Sequence, residues 1–289
     1  MVNYFKKKFF SFLLFVIFFL IFIYVFLKPQ EYHMKFYTAG IALEIQLSHI
    51  PYLVNMDSLK EDIEREIEYR EGQVSRWKPD SVIGQINRNA GIAEVKVDFD
   101  IFNLLKNAKE IGFLTKGDFK FLFSTINNKL ASIDSIVLNK TRHTVFLKEK
   151  EDYIDLKNLA EGYILDQIVN ALKAYGIHNM RISSSSGIKS VLGKNKFLNW
   201  KINIKINRLV KSDVKVKKDL FMLEKVNDLL LIGPNATVIA AIGASVEGLD
   251  KIFWKKRFNS FKDINFLFYD TTGRLEKSLR FEEALEIEK

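Results

Sequence analysis

The hydrophobic pattern divides the chain into one uninterrupted apolar run and a longer part in which apolar and polar residues alternate. From Phe9 to Leu27, 19 residues pass without a charge, and only Ser11 and Tyr24 carry a polar side-chain atom. A helix rises about 1.5 Å per residue, so the run roughly spans the ~30 Å hydrocarbon core of a bilayer. Lys6, Lys7 and Lys8 precede it, and basic flanks stay on the cytoplasmic side. The run therefore predicts a single-pass anchor in the cell membrane, with the remainder extracytoplasmic. A cleaved signal peptide shares the basic start and the apolar run. The run exceeds the usual ~7–15-residue signal core, and no small-x-small site precedes Ala39-Gly40, which favours the anchor. The predicted divisions are a cytoplasmic basic stub (1–8), the anchor (9–27), a linker (28–37) and one folded domain (38–289).

Within the domain, TAGIALEIQL (38–47) alternates and predicts a strand. Ser58 and Glu61 have capping-box spacing ahead of a helix whose buried stripe is Leu59, Ile63 and Ile67. A second helix follows Asp100, with Ile101, Leu104, Leu105, Ala108 and Ile111 on one face. A third starts near Asn158, turns Ile164, Ile168 and Leu172 inward and stops at Gly176. TVFLK (144–148), NMRIS (179–183), WKINIKI (200–206), ATVIAAI (236–242) and INFLFY (264–269) read as strands, and a last helix is expected between Ser245 and Lys256. Strands in runs, interrupted by a few helices, predict an α+β domain.

Composition removes several chemistries. There is no cysteine, hence no disulfide, thiol nucleophile or thiolate ligand. His33, His49, His143 and His178 show no metal-ligand spacing. The net charge of +9 raises the question of nucleic acid or anionic lipid. The basic residues are dispersed, however, and the densest run, KSDVKVKK (211–218), alternates like an exposed strand. A solvated, Lys-rich surface is the simpler reading, and no nucleic-acid partner is expected.

The richest stretch for chemistry is 153–193, a strand, a helix, a Gly stop, a second strand and a turn of small residues. A helix N-terminus offers unpaired N–H groups and partial positive charge to a phosphate, and the Ser183–Gly187 turn adds amides and hydroxyls. The same stretch resembles the signature of the FAD:protein FMN transferase (ApbE) family through Asp155-Leu156, Ala160, Gly162-Tyr163 and Asp166. WKPDSVIGQINRNAG (77–91) is similar to a family segment through Pro79, Asp80, Ser81 and Asn87, and TKGDFKF, NWKINI and ATVIAA follow in the family's order.

That resemblance implies a mixed-sheet, exported FMN-transferase-like domain that takes FAD and Mg²⁺ and passes FMN to a Thr or Ser hydroxyl of an acceptor protein, releasing AMP. It implies a cofactor-binding set of Ser81, Asn87, Lys157, Ala160, Glu161, Gly162, Asp166, Ser185 and Ser186. It implies metal ligation by the Ala160 carbonyl and Glu247. The departures from the family pattern fall on functional positions. Lys157-Asn158 stand for a Gly pair, Glu161 stands for a Lys, Ser185-Ser186-Gly187 stand for Gly-Gly-Asp, and Glu247 and Lys251 stand for a metal-binding Asp and Thr. Protonated Lys is no metal ligand, and Glu247 with Lys251 reads more simply as an i,i+4 surface pair. Trp77 offers a face to a flavin or adenine ring, but half-buried packing is the plainer reading. Three functions follow: a working transferase, a catalytically dead nucleotide-binding or scaffold protein at the membrane, and a membrane-surface interaction protein. The second is favoured because so many functional positions differ together.

Overall fold

The computed structural model describes residues 10, 12–20, 31–38, 40–126, 129–195, 198–207, 210–216, 219–225, 229–247 and 249–287. Of the predicted anchor, residues 12–20 are helical and largely exposed, whereas most of the rest of Phe9–Leu27 lies outside the described residues. No helix among the described residues is long and apolar enough to cross a membrane.

Eight strands form the central sheet: β1 (Glu31–Thr38), β2 (Ile41–Ser48), β3 (Asn179–Ser184), β4 (Ile188–Leu192), β5 (Leu220–Lys225), β6 (Leu229–Gly233), β7 (Asn265–Tyr269) and β8 (Leu275–Lys277). Their order across the sheet is their order along the chain, and every neighbouring pair is antiparallel. The mixed sheet expected from the resemblance is therefore an antiparallel meander here. Each helical excursion returns the chain beside the strand it left, which requires no parallel crossover.

The helices are α1 (Met56–Val74), α2 (Val82–Arg88), α3 (Phe99–Leu114), α4 (Lys157–Ala174), α5 (Ala236–Ser245), α6 (Lys251–Phe258) and the short α7 (Phe281–Ala284). Residues of α1 to α6 pack on one face of the sheet, where Leu43, Ile45, Leu47, Met180 and Ile182 meet Leu59, Ile63, Leu105, Ile168 and Ile239 in the main core. The opposite face carries a second cluster at the later strands only. There Val191, Met222, Ile232 and Leu267 are covered by Trp200, Val216 and Phe281. The Trp200 indole N–H donates to the Leu192 carbonyl at 2.9 Å. Segregated helices on an antiparallel sheet are the expected α+β arrangement.

Several local expectations change. The strand predicted over 38–47 is broken at Gly40, whose φ of 79° turns a hairpin, so residues 31–37 of the predicted linker join Thr38 in the edge strand β1. The first helix is capped by the Asn55 side chain, which accepts from the Asp57 and Ser58 N–H groups at 3.0 Å; the capping box on Ser58 is not used. The segment 236–242 is helical, not extended. Its continuous apolar run suits either a buried strand or a buried helix, and Asn235 decides by accepting from the Val238 N–H at 2.8 Å. The helix expected between Ser245 and Lys256 starts only at Lys251, behind its cap Asp250. The predicted buried stripes of α1, α3 and α4 are buried, and 270–273 turns the β7–β8 hairpin through bonds to the Asp270 carboxylate.

One junction fixes α4 against α5. A Cβ placed on Gly162 would lie 2.5 Å from the Ala236 carbonyl oxygen and 2.8 Å from Thr237 Cα, so only glycine lets the helices approach this closely. One turn on, the Asp166 carboxylate accepts from the Ala236 N–H at 2.8 Å, the Thr237 N–H at 2.9 Å and the Thr237 hydroxyl at 2.6 Å. Burial pushes the Asp166 carboxyl above its usual range, and the bonds from Thr237 and Ala236 oppose that shift.

Two predictions follow from this junction. Gly162→Ala forces helix displacement and lowers stability by about 1–3 kcal/mol, whereas Gly72→Ala in α1, where a Cβ meets nothing within 4 Å, raises it by roughly 0.5–1 kcal/mol. Asp166→Ala leaves up to three donors without an acceptor, at about 1–3 kcal/mol for each that water cannot reach. Asp166→Asn keeps one acceptor oxygen and costs less. Urea denaturation of the four variants checks both orders, and equal midpoints for Gly162→Ala and Gly72→Ala would contradict the first.

Candidate functional site

The start of α4 is where several of the predicted site residues meet. Strand residues 152–154 pair with 122–124, and Asn87 fixes the end of that ladder by donating to the Ile154 carbonyl at 3.0 Å and accepting from its N–H at 2.7 Å. Ser81 is the buried N-cap of α2, accepting from the Gly84 N–H at 2.8 Å while its hydroxyl bonds the Ser75 carbonyl. Both residues are thus committed to backbone groups. They position the site without presenting a free polar atom to a ligand.

From there the chain enters α4 through Asp155. Its carboxylate accepts from the Lys157 N–H at 3.0 Å and faces Arg76 Nε at 3.3 Å. The Arg76 guanidinium stacks over the Trp77 ring at 4.0 Å and lies 5.2 Å from the Tyr153 ring. Phe123 stacks behind Tyr153 at 5.6 Å. Trp77 itself is 78% exposed, so the half-buried packing expected for it is not what the fold builds. Its indole is an open aromatic face, stiffened by a cation beneath it. Sequence reasoning passed over Arg76 and Tyr153. A basic residue beside a Trp was the available signal, and it is a weak one, because only the fold brings Asp155 and Tyr153 to them.

On the other side of the α4 start sits the small-residue turn. The Ser186 hydroxyl bonds the Glu161 carboxylate and lies 3.0 Å from the Ser184 hydroxyl. Ser184 Oγ accepts from the Ile188 N–H at 3.1 Å, and Ser185 Oγ accepts from the Ala42 N–H at 3.1 Å. Gly187, at φ 100°, holds the turn against β5, since a Cβ there would meet the Glu224 carbonyl at 2.0 Å. The hydroxyls expected to receive a phosphate are engaged within the protein, and an anion stands beside them.

Beyond Ser81 and Asn87, the predicted residues separate into three groups. Lys157, Ala160 and Glu161 line the start of α4, with Ser185 and Ser186 across from it. Gly162 and Asp166 belong to the α4–α5 contact. Glu247 lies in the turn after α5, exposed, and Lys251 is the first residue of α6, its ammonium 5.7 Å from the Trp254 ring. The i,i+4 helical pair expected of Glu247 and Lys251 does not form, because the chain turns between the two helices.

A magnesium site needs several oxygen ligands in near-octahedral geometry. Among the described residues, no group of three His, Cys, Asp or Glu side chains comes together. The helix packed on α4, ALA-rich α5, carries no carboxylate at all. Ala160 and Glu247 alone do not constitute a site for the metal. The flavin fits better: Trp77 supplies a stacking face, and Lys157 a nearby exposed cation.

Known proteins share this architecture. Flavin transferase ApbE from Vibrio cholerae superposes with a TM-score of 0.74 at 15% identity, covering 89% of this chain and 99% of its own. The apo form of Pseudomonas stutzeri flavinyl transferase ApbE gives 0.71 at 12% identity, covering 89% and 97%. The ApbE protein of Thermotoga maritima gives 0.65 at 18% identity, covering 88% and 99%. At such identities these likenesses speak for the fold. In sequence, the FAD:protein FMN transferase of Buchnera aphidicola subsp. Schizaphis graminum (strain Sg) is 26% identical over an alignment of 199 residues, with 60% of this chain covered. The chain spans 57% of that relative's length. The model of the ApbE family matches residues 31–227, from the first residue of β1 through the Ser turn and beyond β5, and on that match the chain belongs to the ApbE family.

Proposed function

We propose that this chain is a flavin-dinucleotide-binding member of its family that no longer transfers FMN. The transfer that the resemblance implies would have an acceptor Thr or Ser hydroxyl attack the FMN phosphorus. The pyrophosphate P–O bond breaks, AMP departs as the leaving group, and the hydroxyl proton is lost. Such a step depends on neutralising charge on the phosphates. The observation that carries the proposal is Glu161, hydrogen-bonded by Ser186 at the start of α4. It places negative charge where the family signature has a cation, and it occupies the turn that would cradle the phosphate. Trp77 and Arg76 support retained binding of an aromatic ring. The apolar run at 9–27 supports a single-pass membrane location with the domain outside the cytoplasm. A second reading, a working transferase acting on an acceptor protein, is favoured by the relative that bears that name.

The readings separate in one experiment on the full chain in detergent, given FAD, Mg²⁺ and a Thr-bearing acceptor peptide. FAD should quench Trp77 fluorescence with no AMP release and no covalent flavin on the peptide. Trp77→Ala should weaken binding by about tenfold, in line with ring stacking worth ~1–3 kcal/mol. Glu161→Lys should tighten it. AMP release by the unmodified chain would establish the second reading, and absence of any FAD binding would remove both.

A further inference from the structure

A polar cavity of about 140 Å³ lies between α3, α4 and the start of α5. It shares no lining residue with the Arg76–Trp77 stack or the Ser184–Gly187 turn. Asp100, Asn103 and Asn107 reach it from α3; their i, i+3, i+7 spacing puts them on one stripe of the helix. Tyr163, Asp166 and Gln167 reach it from α4, and Thr237 closes the end. Leu104 is the one apolar residue in the lining, although the neighbouring stripe of α3 is fully apolar and buried.

Charge in the cavity is already matched. Asp100 accepts from Arg70 Nη1 at 2.8 Å, and the same nitrogen donates to the Tyr163 hydroxyl at 2.8 Å. Asp166 is turned to the N–H groups of α5. The site therefore holds no spare cation for an anionic ligand and no uncommitted carboxylate for a metal. What it does hold is carboxamides. Asn103, Asn107 and Gln167 are partly buried and make no hydrogen bond to another described residue. Each offers two donors and an acceptor. None of the three is cut off from solvent, so water meets these groups in the open cavity and a ligand that donates and accepts as water does can take its place.

We infer that this cavity binds a small uncharged polyol of pentose size. Hydroxyls on adjacent carbons both donate and accept, which is the complement of converging carboxamides. A neutral ligand suits a site whose charges are internally paired, and the volume limits it to a small sugar or sugar fragment. The inference does not rest on the flavin reading.

Saturation-transfer NMR on the full chain in detergent, with D-ribose as the probe, tests it. Transfer to D-ribose is expected in the unmodified chain and should drop about fivefold or more when one carboxamide is removed, in Asn107→Leu and separately in Gln167→Leu. Two variants on different helices guard against a loss caused by misfolding, which far-ultraviolet circular dichroism would expose. Excess FAD should leave the signal unchanged. The assignment is overturned by no transfer in the unmodified chain, by equal transfer in both variants, or by displacement of D-ribose by Ca²⁺. Displacement by FAD would overturn the separateness of the cavity from the flavin site.

Discussion

The spacing between α4 and α5 at Gly162 governs what the rest of the molecule can do. With no Cβ at that position, the Ala236 backbone comes within contact distance of α4, and Asp166 can then reach the free N–H groups at the start of α5. The two features depend on each other. A wider gap would lose the hydrogen bonds, and a lost carboxylate would leave donors unmet in the seam. Because α4 is the helix whose first turn faces both the Trp77 stack and the Ser turn, its position is also the position of the candidate site.

Around that fixed helix the protein has the scaffold of its family, with an acidic side chain near the start of α4. Glu161 and Ser186 bond each other, and the Ala-rich α5 brings no carboxylate to its neighbour. A buried or half-buried polar site stays ordered only when its groups are paired. Here the Glu161 carboxylate and the Ser186 hydroxyl are paired with each other. Trp77, by contrast, remains open, with Arg76 beneath it. An indole this exposed contributes little to core packing.

Much of the fold was legible. The helical period gave the buried faces of α1, α3 and α4, and Gly176 marked a real stop. Failures came where local signals were degenerate. ATVIAAI is apolar at every position but Thr237, so neither period shows, and it became a helix. The 38–47 alternation continues smoothly through Gly40, so it could not reveal that the register reverses there. Ser58 and Glu61 had capping-box spacing, but Asn55, three residues earlier, was the stronger cap.

The sequence by itself determined the apolar N-terminal run, the α+β class, the family and the identity of the altered positions, because these depend on composition, period and order along the chain. Only the tertiary structure decided what surrounds those positions. It brought Ser186 to Glu161 across 25 residues, Asp155 and Tyr153 to Arg76, and three carboxamides from two helices to one cavity. It also placed Glu247 and Lys251 on either side of a turn instead of on one helix. Contacts between residues far apart in the chain are set by how helices pack on the sheet, and no local pattern encodes that packing.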